Sequence, residues 1–153
     1  YLALSGACAV AAAVSEAASE GADVYRVLQA GLYGAKEGER IGREVARDVA
    51  GPSVVKRMEM AIDIGLGSGT PWEKMIELGH RIGAGLHVSE AIPCAFGFFA
   101  ANEGDALGSI VGAVNVGYDT DTIATMSGAL AGALKGAKPI QNIFFPPWRK
   151  RMA

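Results

Sequence analysis

Apolar residues return at three- and four-residue intervals along almost the whole chain, and each run is cut short by glycine or proline. That pattern presents one helix face at a time to a core. No run alternates apolar and polar residues between hairpin-turn signals, as a half-buried strand would. With 153 residues, 50% of them hydrophobic, the chain carries enough apolar surface for one core. Residues 1–153 are therefore expected to form a single all-α domain, a compact multi-helix bundle.

The first helix is expected over residues 2–20, stopped by Gly21. A second, opened by Asp23, carries Val24, Leu28, Leu32 and Tyr33 on one face, and Gly34 and Gly42 are places for it to bend or break before Ala50. Pro52 opens a segment with Val55, Met58, Ala61 and Ile62 that ends in the glycines of 65–70. Pro71 suits a first helical turn, with 72–81 following. Helices over 89–101, with Pro93 in or near the first turn, over 104–115 and over 120–135 complete the pattern. Tyr33, Trp72, Phe98 and Phe99 fall at helical spacing and read as core. Gly128, Gly132 and Gly136 share one face of the last helix. Glycine within a helix costs about 0.5–1 kcal/mol relative to alanine, so this face predicts a close backbone neighbour and a central place for that helix. Phe144, Phe145 and Trp148 flank Pro146 and Pro147; they either clamp the tail across the bundle or meet a second polypeptide.

A net charge of -2 provides no basic face to gather phosphates, so no nucleic-acid partner is expected. The basic run Arg149, Lys150, Arg151 reads as a solvated tail. No stretch reaches the roughly 18–20 continuous apolar residues of a membrane span, and the apolar opening lacks the basic front end of a signal peptide. Cys8 and Cys94 lie in apolar surroundings without CxxC spacing, as reduced small hydrophobes of a cytoplasmic protein. The run GLGSGT at 65–70 lacks the lysine and preceding strand of a phosphate-binding loop. His80 reads as a surface or capping residue and His87 as part of a glycine loop; neither has a nucleophile partner at a telling spacing.

One crowd of oxygens stands out: Asp119, Thr120, Asp121 and Thr122, immediately before an apolar helical run. One such residue is an ordinary helix cap. Two carboxylates one residue apart repel unless a cation or several donors lie between them. Carboxylate and hydroxyl oxygens without nearby His or Cys suit hard ions such as Mg²⁺, Mn²⁺ or Ca²⁺. The spacing is not that of an EF-hand, and the chain turns apolar at once after Thr122, so further ligands would come from another segment.

The run AVNVGYDTDTIATMSGALAGALKG at 113–136 resembles the C-terminal signature of the ADP-ribosylglycohydrolase family, in which Asn-x-Gly-Gly-Asp-x-Asp-Thr enters a Gly- and Ala-rich helix. The likeness extends back through IGAGLHVSEAIPCAFGFFA at 82–100 and into the Ala-rich opening helix. It implies a compact all-α fold, two Mg²⁺ or Mn²⁺ ions, and hydrolysis of the bond between C1 of ADP-ribose and an amino-acid side chain. By position in the motif it implies Asp119, Asp121 and Thr122 as metal ligands. It further implies a substrate cleft lined by Gly83, Gly85, His87, Ser89, Gly117 and Tyr118. The partner would be an ADP-ribosylated protein or an ADP-ribose-like small molecule.

Two departures stand beside it. Tyr118 occupies a position where the family usually has glycine, either stacking on a base or ribose or packing in place. The family's N-terminal Asp-rich signatures, which would bring the other metal ligands and the general acid or base, are not found, and the chain opens at Tyr1 inside an apolar periodic run. The expectation is the C-terminal portion of a larger domain, completed by a companion N-terminal polypeptide or segment and not competent for catalysis alone. Two alternatives remain: a hydrolase of another N-glycoside such as a nucleoside, and a non-catalytic binding or structural relative.

Overall fold

The computed structural model describes residues 1–136 and residue 138. Among the described residues there are seven α-helices, one π-helical turn and no strand. They are α1 (Leu2–Ala17), α2 (Val24–Val45), α3 (Val54–Leu66), α4 (Pro71–Glu77), which runs directly into the π turn (Leu78–Ile82), α5 (Val88–Ala101), α6 (Ala106–Asn115) and α7 (Thr120–Lys135). The expected all-α bundle is what the chain forms. No helix among the described residues is long and apolar enough to cross a membrane. The expectations for Phe144, Phe145, Trp148 and the basic run Arg149 to Arg151 lie outside the described residues.

Local chemistry sets most of the helix starts. The Asp23 carboxylate accepts the Arg26 amide at 2.8 Å, and Asp105 accepts the Gly108 amide at 2.7 Å, each satisfying a first-turn donor that has no partner within its helix. Thr70 and Glu73 form a reciprocal capping box ahead of Pro71. The Thr70 amide and hydroxyl, both donating to Glu73, hold its carboxyl below the usual range. The first helix stops at Ala17 rather than Glu20. Here the chain must turn so that Asp23 can cap α2, and Arg26 reaches back to the Gly21 carbonyl at 2.9 Å to fix that turn.

Gly34 and Gly42 do not break α2, which is continuous. With Gly38 they form its contact stripe against α1. A methyl group at Gly34 would lie 2.3 Å from the Cys8 carbonyl oxygen, and one at Gly38 2.4 Å from that of Leu4. The contacts step backward along α1 as they advance along α2, so the two helices form an antiparallel hairpin at backbone contact. The backbone approach expected of α7 occurs here instead. On α7, a methyl group at Gly128 would meet the Ile110 side chain at 3.0 Å, nothing among the described residues lies within 4 Å of one at Gly132, and Gly136 is a C-cap residue with φ of 75°.

The centre of the bundle is α5, not α7. Residues 91–100 are all buried, and they join two apolar clusters. Ile92, Phe96 and Phe99 face α1, α2 and α3, while Cys94, Ala95 and Phe98 face Leu78, Ala113 and Ile123. Phe98 and Phe99 are core, as expected; Tyr33 and Trp72, expected in the core, are 67% and 66% exposed. Pro93 sits inside α5, past its first turn. A proline there cannot donate to the carbonyl four residues earlier, which is that of Ser89. The Arg57 guanidinium from α3 takes that carbonyl at 3.3 Å and the Ile82 carbonyl at 2.9 Å.

Candidate functional site

Two short connections meet at one end of α5. The first leaves the π turn at Ile82, passes Gly83 with φ of 90°, and enters α5 at Val88. The second leaves α6 at Asn115 and reaches α7 through Gly117, with φ of 89°, and Tyr118, with φ of 68°. The Asp119 amide donates to the Ala84 carbonyl at 2.9 Å and joins the two. Between these connections and α4 lies a cleft of about 670 Å³, walled by Trp72, Met75 and Ile76 on one side and by Gly85, His87 and Glu90 on another, with Asn115, Gly117 and Tyr118 closing it.

Tyr118 adopts a left-handed conformation that glycine takes freely and L-residues rarely adopt. The ring is not packed away: it is 88% exposed and runs alongside Gly85. Gly85 is buried and its amide donates to Glu90 Oε2 at 3.0 Å, while His87 is exposed at the rim. Gly83 and Ser89 are not part of the cleft wall. Gly83 backs onto the Glu90 carboxylate, and Ser89 is 2% exposed in the body of the bundle.

Asp119 is the N-cap residue of α7, yet its carboxylate caps no amide. It accepts instead the Thr122 hydroxyl at 2.9 Å. Asp121, in the first helical turn, and Thr122 are exposed. The motif thus presents two carboxylates and a hydroxyl near the surface, directly after the cleft residues Gly117 and Tyr118, although none of Asp119, Asp121 and Thr122 lines the cleft itself; it is an all-oxygen set whose chemistry fits a hard divalent cation. Its number is short of the six positions such an ion commonly fills, and no group of three or more His, Cys, Asp or Glu able to hold a metal occurs among the described residues.

The sequence did not single out Glu90, Arg57 or Asn115. A carboxylate in the first turn of a helix, just after a Gly-x-Gly turn, is a legible hint that it will take a turn amide. Arg57 carries no such hint, because its partners are carbonyls from distant elements. Cys94, one turn beyond Glu90, is buried, and desolvation with the added charge of Glu90 pushes its thiol up to about 12.

A sequence model of the ADP-ribosylglycohydrolase family matches residues 2–153. A curated relative from Escherichia coli (strain K12), "Uncharacterized protein YegU", is 33% identical over 88 residues, which are 58% of this chain and 26% of YegU. The match spans about a quarter of that relative's length. No solved structure matches the chain. The family match runs over nearly every residue, both cleft connections included, and the all-helical architecture agrees with it: the chain belongs to the ADP-ribosylglycohydrolase family.

Proposed function

We propose that this chain is part of a metal-dependent hydrolase that cleaves the glycosidic bond between ADP-ribose and an amino-acid side chain. The observation that supports the reading is the hydrogen bond from the Asp119 amide to Ala84, which fastens the start of the Asp119–Thr122 motif to a connection that lines the cleft. Asp119, Asp121 and Thr122 would hold Mg²⁺ or Mn²⁺, two ions in the complete site. Such ions lower the pKa of a bound water and stabilise developing charge. The Thr122 hydroxyl orients the Asp119 carboxylate. The exposed Tyr118 ring offers a face to a ribose or base, and His87 a hydrogen-bonding edge at the rim.

The remaining metal ligands and the acid or base are assigned to a further segment or companion polypeptide, because the donors present are too few. The partner is an ADP-ribosylated protein or an ADP-ribose-like small molecule. The test uses the protein in its complete polypeptide context, with peptides ADP-ribosylated on arginine or serine, and with and without EDTA. Release of ADP-ribose that stops with EDTA, and is lost in Asp119→Asn and Asp121→Asn variants with unchanged circular dichroism, is the expected result. Full activity in either variant overturns it. A second reading draws on the exposed Tyr118 ring at the cleft: hydrolysis of free nucleosides in preference to ADP-ribosyl peptides would favour it.

A further inference from the structure

Glu90 stands at the cleft wall with both carboxylate oxygens committed. Oε2 accepts the Gly85 amide at 3.0 Å, and Oε1 lies 3.7 Å from the Arg57 guanidinium. The same guanidinium holds the Ile82 carbonyl, where the turn begins, and the Ser89 carbonyl, where α5 begins. The latter is the carbonyl that Pro93 leaves without a helical donor. One ion pair therefore grips the connection over 82–89 at its start, its middle and its end. The fit is tight: a methyl group on either Gly83 or Gly85 would lie 2.7 Å from Glu90 Oε2. Between those glycines, the Ala84 carbonyl is the acceptor for the Asp119 amide.

From this chain of contacts we infer that Glu90, paired with Arg57, is a positioning residue for the Asp119–Thr122 motif, acting through the Gly83–Gly85 turn. Its oxygens meet the Gly85 amide at 3.0 Å and the Arg57 guanidinium at 3.7 Å, the contacts of a brace. The order of events is physical. Glu90 fixes the Gly85 amide, which fixes the direction of the Ala84 carbonyl, which in turn fixes the backbone of Asp119 at the start of α7. Asp119 needs such a hold from outside, because no side chain caps its helix and its own carboxylate engages only Thr122. Outer partners that orient a metal ligand typically change metal affinity 10–100-fold when removed. An indirect brace belongs at the lower end of that range.

The effect on metal affinity rests on the function proposed above, whereas the brace itself does not, so the experiment has two arms. The first follows amide hydrogen exchange at Gly85 and Asp119 in metal-free full chain, comparing wild type, Glu90→Gln and Glu90→Ala. Glu90→Ala should speed exchange at Asp119 about tenfold or more while amides of α1 and α2 keep their protection. Glu90→Gln, which retains an acceptor for Gly85, should keep most of it. Unchanged Asp119 protection in Glu90→Ala, or an equal rise across all helices, overturns the inference. The second arm, in the complete polypeptide context that supplies the remaining ligands, measures Mn²⁺ binding by the loss of the free-ion spin-resonance signal, with about a tenfold weaker Kd expected for Glu90→Ala. A complete wild-type protein that binds no Mn²⁺ tells against the metal reading alone, and the exchange arm still decides the brace. Equal Mn²⁺ affinity in wild type and Glu90→Ala refutes the link from brace to metal.

Discussion

The Asp119 amide donates to the Ala84 carbonyl at 2.9 Å, so the start of α7 is fastened to the glycine connection that enters α5. Neither element is near the other in sequence. The bond brings the oxygen-rich motif and the glycine turn to one cleft, and it does so with backbone atoms that no side-chain pattern reveals. Substitutions that alter the backbone at this junction should therefore act on the site before they act on the fold.

Tyr118 gives the first such case. Its φ of 68° is a conformation that costs a residue with a Cβ roughly 1–2 kcal/mol, and its ring is 88% exposed, so little packing offsets that cost. Replacement by glycine removes the strain but adds about 0.5–1 kcal/mol of chain entropy to the unfolded state. Tyr118→Gly should leave the thermal midpoint unchanged or raised slightly while weakening any ligand that lies on the ring. A clear fall in Tm in a calorimetric scan would show that the ring contributes more packing than its exposure implies.

Two glycines at helical positions predict opposite signs. In Gly38→Ala, the new methyl meets the Leu4 carbonyl at 2.4 Å, against backbone that can yield only by prising α1 from α2. Overpacking of this kind costs about 1–3 kcal/mol. Gly132→Ala meets nothing within 4 Å among the described residues and gains helix propensity worth about 0.8–1 kcal/mol. Urea denaturation should move the midpoint down for the first and up for the second. A stabilised Gly38→Ala would mean that the helix hairpin is looser than its contacts indicate.

These glycines also show what the sequence could and could not tell. The limits of α7 were legible to the residue, because Asp and Thr before an apolar run and Gly136 after it are local signals. The α3 segment was legible in outline, from Pro52 to the glycines of 65–70, and the structure sets its cap at Ser53 and its end at Gly67. A four-residue glycine stripe promises that something approaches closely, but it does not say what. Stripes on α2 and α7 look alike in sequence, yet among the described residues only the first meets the backbone of another helix, whereas Gly128 of α7 meets the Ile110 side chain. Exposure of Trp72 and Tyr33 was hidden likewise, since helical spacing fixes a face and not what covers it. At the site, the motif residues were visible as residue types. The Arg57–Glu90 grip was not, because it depends on which carbonyls the fold leaves without donors.

The Cys94 thiol carries a pH-dependent consequence. Buried in α5 and near the charge of Glu90, it is pushed up to about 12 from an ordinary value of 9.0. The folded chain therefore keeps this proton where the unfolded chain gives it up, and the state holding more protons loses ground as pH rises. Above about pH 9 stability should fall steadily, and the fall should level off once the pH passes the folded-state value. Replacing Cys94 by alanine removes the titrating group, so denaturant unfolding of Cys94→Ala should show a flatter alkaline limb than wild type, whatever its offset at neutral pH. The same burial predicts that a thiol reagent at pH 8 modifies native chain at the half-buried Cys8 and spares Cys94, since only the thiolate reacts. Mass spectrometry of the labelled peptides checks this, and rapid native labelling of Cys94 would contradict both the burial and the pH profile derived from it.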